Sequence, residues 1–443
     1  MFDVFLHPWF EQSVDEGLTL EAEAVQRGPH AMRNARFLAG LALVASLLGL
    51  LFAAYSTYDY AQHLDRQIHA IHCSFIPGAS GDTTAENPCK VALFSSYSAL
   101  FRESFWGGVP ISLFAVGAFS FFVGYAVYLL LAGWRAPRRA YLFLGLTGLT
   151  PLCASLVMFV ISLTRLHAFC KVCVGIYFSS ALLAAAAVMS LVHFMRLAPS
   201  GPVDPRAPTQ VEAPPAGNPL LLVGWLAALG LSAIVPALVY VAALPDYRPY
   251  LSNCGTLEMP QEQHGALLKL PTAHPVKPVT FFEDPLCPTC RAFHERLIDE
   301  GVLENLDVTL VLFPLDHDCN WMLDRSLHPG ACLLSKAVLC GGNQSRAILE
   351  WSYSEQDNLR DLGKGNPAAI EKKIRDRFGA DVLTCAQDKK TAARLNQHLQ
   401  YASNNHIPVS TPQMFLGDKR ICDEDTDLGL KYTLSQLAPE VLR

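Results

Sequence analysis

Five apolar stretches leave this chain few ways to fold. Residues 37–55, 109–134, 141–163, 172–194 and 220–244 are each long and apolar enough to cross a hydrocarbon core, which takes roughly 20 helical residues. Lipid offers no partners to a bare backbone, so such stretches must be helices that satisfy their own hydrogen bonds. With 51% hydrophobic and only 17% charged residues among 443, a substantial part of the chain belongs in a membrane. After residue 245 the sequence becomes soluble in character.

Arginines set the expected orientation. Arg27, Arg33 and Arg36 precede the first stretch, Arg135, Arg138 and Arg139 separate the second and third, and Arg196 and Arg206 follow the fourth. The positive-inside rule makes these segments cytoplasmic. Residues 56–108, 165–169 and everything after 245 then face the far side, with residues 37–55 an uncleaved signal anchor. The expected domains are a cytoplasmic N-terminal segment (1–36), a four-helix membrane unit (37–195), a Pro-rich cytoplasmic linker (196–218), a fifth membrane helix (219–245) and a far-side domain (246–443). Residues 14–27 fit a surface helix or an unstructured tail equally well. Every cysteine except Cys153 falls on the far side or at its boundary, as an oxidising compartment would favour. Cys153 itself, mid-membrane, is expected only to pack. The net charge of −6 without a basic cluster gives no footing for nucleic acid.

Two Cys-X-X-Cys motifs stand out: Cys170-Lys171-Val172-Cys173 opens the fourth apolar stretch, and Cys287-Pro288-Thr289-Cys290 follows a short β-like run, Val279-Thr280-Phe281-Phe282. Such a pair closes a disulfide reversibly, and a helix start stabilises the thiolate of its first cysteine. Neither motif is followed by histidine, which removes covalent haem, and no second ligand pair suits zinc. Lys171 either favours a thiolate or reaches toward headgroups. The far-side domain continues with a helical pattern at 292–303, a strand at 308–313, a helical section at about 330–404, a Thr411-Pro412 strand and a final helix at 428–437. Cys254, Cys319, Cys332, Cys340, Cys385 and Cys422 are expected in three structural disulfides, with Cys319–Cys332 and Cys340–Cys385 the favoured pairs among fifteen connectivities.

Residues 278–437 resemble the thioredoxin fold in its DsbA-like form with a helical insertion. The resemblance implies that Cys287 attacks and Cys290 resolves. It also implies a cis Pro412 beside the dithiol, where the neighbouring backbone at Thr411 receives an extended substrate.

Residues 37–194 resemble the bacterial vitamin K epoxide reductase family. The match rests on Cys73 and Cys89 in the first far-side loop, Ala92-Leu93-Phe94-Ser95-Ser96-Tyr97, Gly108-Val109-Pro110-Ile111-Ser112 at the second stretch, and Cys170 to Cys173 at the fourth. The resemblance implies an α-helical membrane protein: a four-helix bundle plus a fifth transmembrane helix joined to an α/β thioredoxin-like domain. It further implies a bacterial inner-membrane protein with that domain in the periplasm and membrane lipid around the spans; the residues leave the oligomeric state open, a monomer included. Electrons would pass from reduced exported proteins, or from a soluble thioredoxin-like carrier, through Cys287/Cys290, Cys73/Cys89 and Cys170/Cys173 to ubiquinone or menaquinone. Tyr177, four residues beyond Cys173, with Ser95 and Ser112, would contact the quinone. The rivals are vitamin K epoxide reduction, a thiol reductase or isomerase running the opposite way, and a non-enzymatic disulfide-linked scaffold. The residues depart from the family at two places: a long interval between Cys73 and Cys89, and an apparent insertion at 102–106. The apolar spacing of Val91, Phe94, Phe101 and Phe105 predicts one helical face lying along the membrane.

Overall fold

The computed structural model describes residues 7–64, 73, 88–133, 136–166, 168–196, 218–262 and 264–443. The chain divides into two compact units, Met1–Leu93 with Pro110–Ala243, and Phe94–Val109 with Leu244–Arg443. Among the described residues, five helical segments are long and apolar enough to cross a membrane: Asn34–His63, Ile111–Ala132, Arg138–Leu166, Lys171–Met195 and Leu220–Ala243. They coincide with the five apolar stretches. The first belongs to a longer helix, α1 (His7–His63), so the backbone of residues 14–27 is helical.

The first unit continues with the short helix α2 (Pro88–Phe94), α3 (Ile111–Ala132), α4 (Arg138–Thr147), α5 (Thr150–Ile161), α6 (Lys171–Arg196) and α7 (Leu220–Ala243). Two short strands, β1 (Ala99–Leu100) and β2 (Val109–Pro110), pair between α2 and α3. Alanines let α1 pack closely: Ala35, Ala39, Ala42, Ala45 and Ala53 are buried with Phe119, Phe122 and Tyr125 of α3 and Leu183 and Ala186 of α6. Where lipid supplies no hydrophobic drive between helices, such close packing of small residues holds a bundle together. Pro151 in the first turn of α5 marks the break from α4. Proline suits that position because the N–H it lacks would have had no intrahelical partner.

A second proline explains how α7 packs. Pro236 lies inside α7 and cannot donate to the carbonyl four residues back, which is that of Ser232. A Cβ added to Gly117 of α3 would collide with this carbonyl. Gly117 therefore lets the α3 backbone approach the acceptor that Pro236 leaves without its helical donor.

The second unit is built on a five-stranded sheet of order β3-β5-β4-β6-β7, formed by β3 (Leu268–Lys269), β4 (Lys277–Glu283), β5 (Leu306–Leu312), β6 (Gln413–Leu416) and β7 (Lys419–Ile421). Strands β4 and β5 run parallel, linked through α8 (Pro288–Asp299), whereas β6 lies antiparallel to β4. Between β5 and β6 come α9 (Ala331–Cys340), α10 (Ser345–Ser354), α11 (Gln356–Gly365), α12 (Pro367–Phe378), α13 (Ala380–Gln387) and α14 (Lys389–Asn404), and α15 (Leu430–Leu437) follows the sheet. This is a thioredoxin-like fold with a helical insertion. Its core holds Phe281, Val308, Leu310, Leu297, Leu334 and Ile348, all fully buried. Disulfides join Cys319 to Cys332, Cys340 to Cys385 and Cys254 to Cys422.

Two expectations are corrected. Phe94–Val109, assigned from sequence to the four-helix unit, groups with the thioredoxin-like domain. Nor do Val91, Phe94, Phe101 and Phe105 share a helical face: α2 ends at Phe94, and Phe101 has φ 57°. Arg102 donates to the Ser95 carbonyl at 2.6 Å, turning the chain back where a longer helix would have run on.

The Gly117 contact has a direct test. Gly117→Ala is expected to destabilise the membrane unit by about 1–3 kcal/mol, the usual range for overpacking. Gly124→Ala in the same helix, where an added Cβ meets nothing within 4 Å, is expected to leave it unchanged. Thermal unfolding of the two variants in detergent distinguishes them.

Candidate redox site

Both Cys-X-X-Cys motifs place their first cysteine at a helix start. Cys287 is the N-cap of α8, and its carbonyl accepts from Arg291 N–H at 3.1 Å. Cys170 stands just ahead of α6, with its carbonyl accepting from Val174 at 3.0 Å and its sulfur facing the Cys173 N–H at 3.4 Å. First-turn N–H groups have no helical acceptors, and the dipole leaves positive charge there, so an anionic sulfur is favoured at either position. Cys170, Cys173, Cys287 and Cys290 are free thiols, whereas Cys73 and Cys89 are joined. Cys153 is also free, on α5.

Around Cys287 the donors can be named. Thr289 Oγ1 lies 2.9 Å from its sulfur and 3.0 Å from the Thr411 carbonyl, so its one proton serves the carbonyl beside a thiol and turns to the sulfur when that becomes a thiolate. The thiol of Cys287 reaches the same carbonyl at 3.5 Å. The Thr411–Pro412 bond is cis, and the backbone at Thr411 lies against the dithiol. Hydrogen bonding with Cys290 is the strongest influence on Cys287; with help from Thr289 and Thr411 it outweighs burial and the Asp284 charge, and lowers the thiol to about 6. Cys290 behaves oppositely. Full burial, then the Cys287 sulfur and the Glu283 charge, push it far above the ordinary thiol range. Of the two sulfurs, the outer is thus the one favoured as a thiolate and the inner the one favoured as a thiol.

Polar side chains brace this dithiol from several elements. Asp284 accepts from Leu286 N–H at 2.7 Å, Leu315 N–H at 2.8 Å and His328 Nδ1 at 2.7 Å. Gln356, opening α11, donates to the Cys287 carbonyl at 3.0 Å, so the insertion grips the loop that carries the nucleophile. Behind Cys290, one helical turn along α8, His294 lies between Glu283 (3.8 Å) and Glu350 (3.6 Å), while Tyr353 donates to Glu283 at 3.1 Å. Burial alone would lower His294, yet the two carboxylates prevail and raise it to about 9. Only Thr289, inside the motif, was flagged by its position in the sequence. Glu283 and Asp284 ending an apolar strand, and His294 four residues after Cys290, were the available signals for the others.

The remaining sequence candidates fall as follows. Tyr177 lies on α6, one turn beyond Cys173, with its ring edge-on to Phe159 at 6.0 Å; Phe169 lies 6.3 Å from Phe159. Tyr177, Phe159 and Phe169 thus form a run of ring contacts beginning one helical turn from Cys173. Ser112 accepts a hydrogen bond from Thr57 of α1 at 2.9 Å, which accounts for its hydroxyl as a link between helices. Ser95 groups with the thioredoxin-like unit, not with Cys173 and Tyr177.

Residues 41–188 match the vitamin K epoxide reductase family. Among solved structures, a thioredoxin-like oxidoreductase from Silicibacter pomeroyi DSS-3 is similar over 37% of this chain and 87% of its own, at 14% identity and a TM-score of 0.26. No curated protein matches the chain.

Two pH profiles follow from the geometry. Alkylation of Cys287 in the reduced protein is expected to show a midpoint near 6. Thr289→Val should move it up by about one unit, the equivalent of one weakened hydrogen bond to a charged sulfur; a wild-type midpoint near that of a free thiol would contradict the arrangement. His294 is raised above its unfolded value of 6.5, so its charge adds stability that is fully present below that pH and is lost as pH rises through about 9. Unfolding measured across this range should show the loss in wild type and not in His294→Gln.

Proposed function

Taking residues 41–188 as a vitamin K epoxide reductase family domain, we propose that this multi-pass membrane oxidoreductase is a quinone-dependent thiol oxidase that makes disulfides in exported proteins. The supporting observation is one chain carrying an anion-favouring Cys287 dithiol, a Cys73–Cys89 disulfide and a helix-start Cys170 dithiol. These are three sulfur pairs of the kind that exchange with one another.

In this reading the Cys287–Cys290 disulfide takes two electrons from two substrate thiols, which leave as a disulfide. The substrate thiolate attacks the Cys287 sulfur, and Cys290 departs and takes up a proton. The low-pKa Cys287 attacks the Cys73–Cys89 disulfide and releases one loop thiolate; Cys290 then attacks the Cys287 sulfur and displaces the other loop cysteine, restoring the oxidised pair and leaving two loop thiols. Exchange with oxidised Cys170–Cys173 regenerates the loop disulfide. Each exchange makes one S–S bond for each one broken. A quinone held beside Cys173 by Tyr177, Phe159 and Phe169 would supply the acceptor for two electrons and two protons. The protein would sit in a bacterial inner membrane with the thioredoxin-like domain in the periplasm, where disulfides persist.

Purified enzyme supplied with a reduced protein thiol and a quinone is expected to form quinol, followed by absorbance. Cys173→Ser should abolish this with every thiol donor. Cys287→Ser should lose oxidation of protein thiols yet keep quinol formation from a small dithiol that reaches the loop pair. Undiminished quinol formation by Cys173→Ser would overturn the proposal.

A further inference from the structure

Phe94–Val109 lies in the sequence between the first two membrane helices, five residues beyond Cys89, yet its contacts place it in the thioredoxin-like unit. It is a built surface. The segment is closed on itself by β1 and β2, by Arg102 donating to the Ser95 carbonyl and to Ser98 Oγ at 2.8 Å, and by Gly108 N–H bonding Phe105 O at 2.8 Å. Gly108 has φ 74°, and a Cβ there would strike the Leu100 carbonyl, so only glycine permits the return.

The domain grips this segment along α8 and α15. From α8, Arg296 donates to the Phe94 carbonyl at 2.7 Å and to the Thr426 carbonyl at 3.0 Å. Glu300, just past the end of α8, faces Arg102 at 3.9 Å with both side chains almost fully buried. From α15, Lys431 pairs with Glu103 at 2.7 Å, and Ser435 donates to the Glu103 carbonyl at 2.8 Å. Trp106, 3% exposed, stacks on Tyr247 with centroids 4.5 Å apart. Its indole also covers Gly429, ahead of α15, where any Cβ would overlap it. Gly429 has an ordinary right-handed backbone, so backbone strain does not account for the glycine; space for the indole does.

We propose that Phe94–Val109 is a latch: an intramolecular docking segment that holds the thioredoxin-like domain by its α8–α15 face, independently of the tether through α7. Two attachments, one covalent through α7 and one through this seat, keep the domain on the chain that carries Cys89. Attachment within one chain raises the effective concentration of one sulfur pair at another without any new contact between them. The latch goes beyond the proposed oxidase activity and does not depend on it.

The full chain in membranes provides the test. A protease recognition sequence inserted after Ala243 allows the covalent tether to be cut; sedimentation then separates membrane-held domain from released domain. With the native segment, most of the cut domain is expected in the pellet. Trp106→Ala, on the segment, and Gly429→Leu, on the domain, should each release it to the supernatant, at least tenfold above the unmodified sequence. Alkylation of Cys287 with an unchanged pH midpoint shows that the released domain is folded. Quantitative release of the unmodified domain on cutting, or retention of both variants equal to it, would overturn the latch. Restoration of retention by a second, catalytically inactive full-length chain would instead assign the seat to a neighbouring copy, and would also overturn it.

Discussion

The behaviour of the soluble dithiol depends on one competition at Cys287, between burial, which opposes a charged sulfur, and the donors around it, which favour one. Buried as they are, the two cysteines would both be poor nucleophiles if desolvation acted alone. Hydrogen bonding with Cys290, helped by Thr289 and Thr411, reverses this for Cys287 only, which caps α8 while Cys290 is inside the first turn. The pair is thereby divided into an attacking and a resolving sulfur. Asp284 and Gln356 fix the loop that sets this geometry, which gives the helical insertion a part in the chemistry as well as in the core.

The membrane unit meets a different constraint. Its helices gain nothing from leaving lipid for one another except close packing and the few hydrogen bonds they can share. The alanine face of α1, the Thr57–Ser112 bond and the Gly117–Ser232 approach answer that constraint with small side chains and exposed carbonyls. The Cys170 motif repeats the helix-start arrangement of Cys287 in this apolar setting, so one local rule serves both solvents.

Much of this was legible in the sequence, because it is carried by local pattern. The spans follow from continuous apolar runs, the β4-α8-β5 start from a switch between period-two and helical spacing, and the reactive pairs from Cys-X-X-Cys ahead of helices. Two of the three structural disulfides also followed, although Cys319–Cys332 closes a loop ahead of α9 and Cys340–Cys385 spans α10 to α13. What was hidden depends on distant residues meeting. The two-residue β3 and three-residue β7 are too short to show a period, and the Glu283–His294–Glu350–Tyr353 cluster joins three elements. The segment around Trp106 was visible only as an insertion; its partners Arg296, Gly429 and Lys431 lie roughly two to three hundred residues away in the chain, beyond any periodicity argument.

The proposed oxidase activity requires electrons to run from the soluble dithiol toward the membrane dithiol, and the equilibrium reduction potentials of the two pairs decide whether they can. Titrating the full chain against glutathione redox buffers, with alkylation and mass analysis of Cys287/Cys290 and Cys170/Cys173 separately, gives both values in one molecule. The soluble pair is expected to be the more reducing, by about 30 mV for each factor of ten in the exchange equilibrium. A soluble pair more oxidising than the membrane pair would contradict it and favour electron flow in the opposite direction.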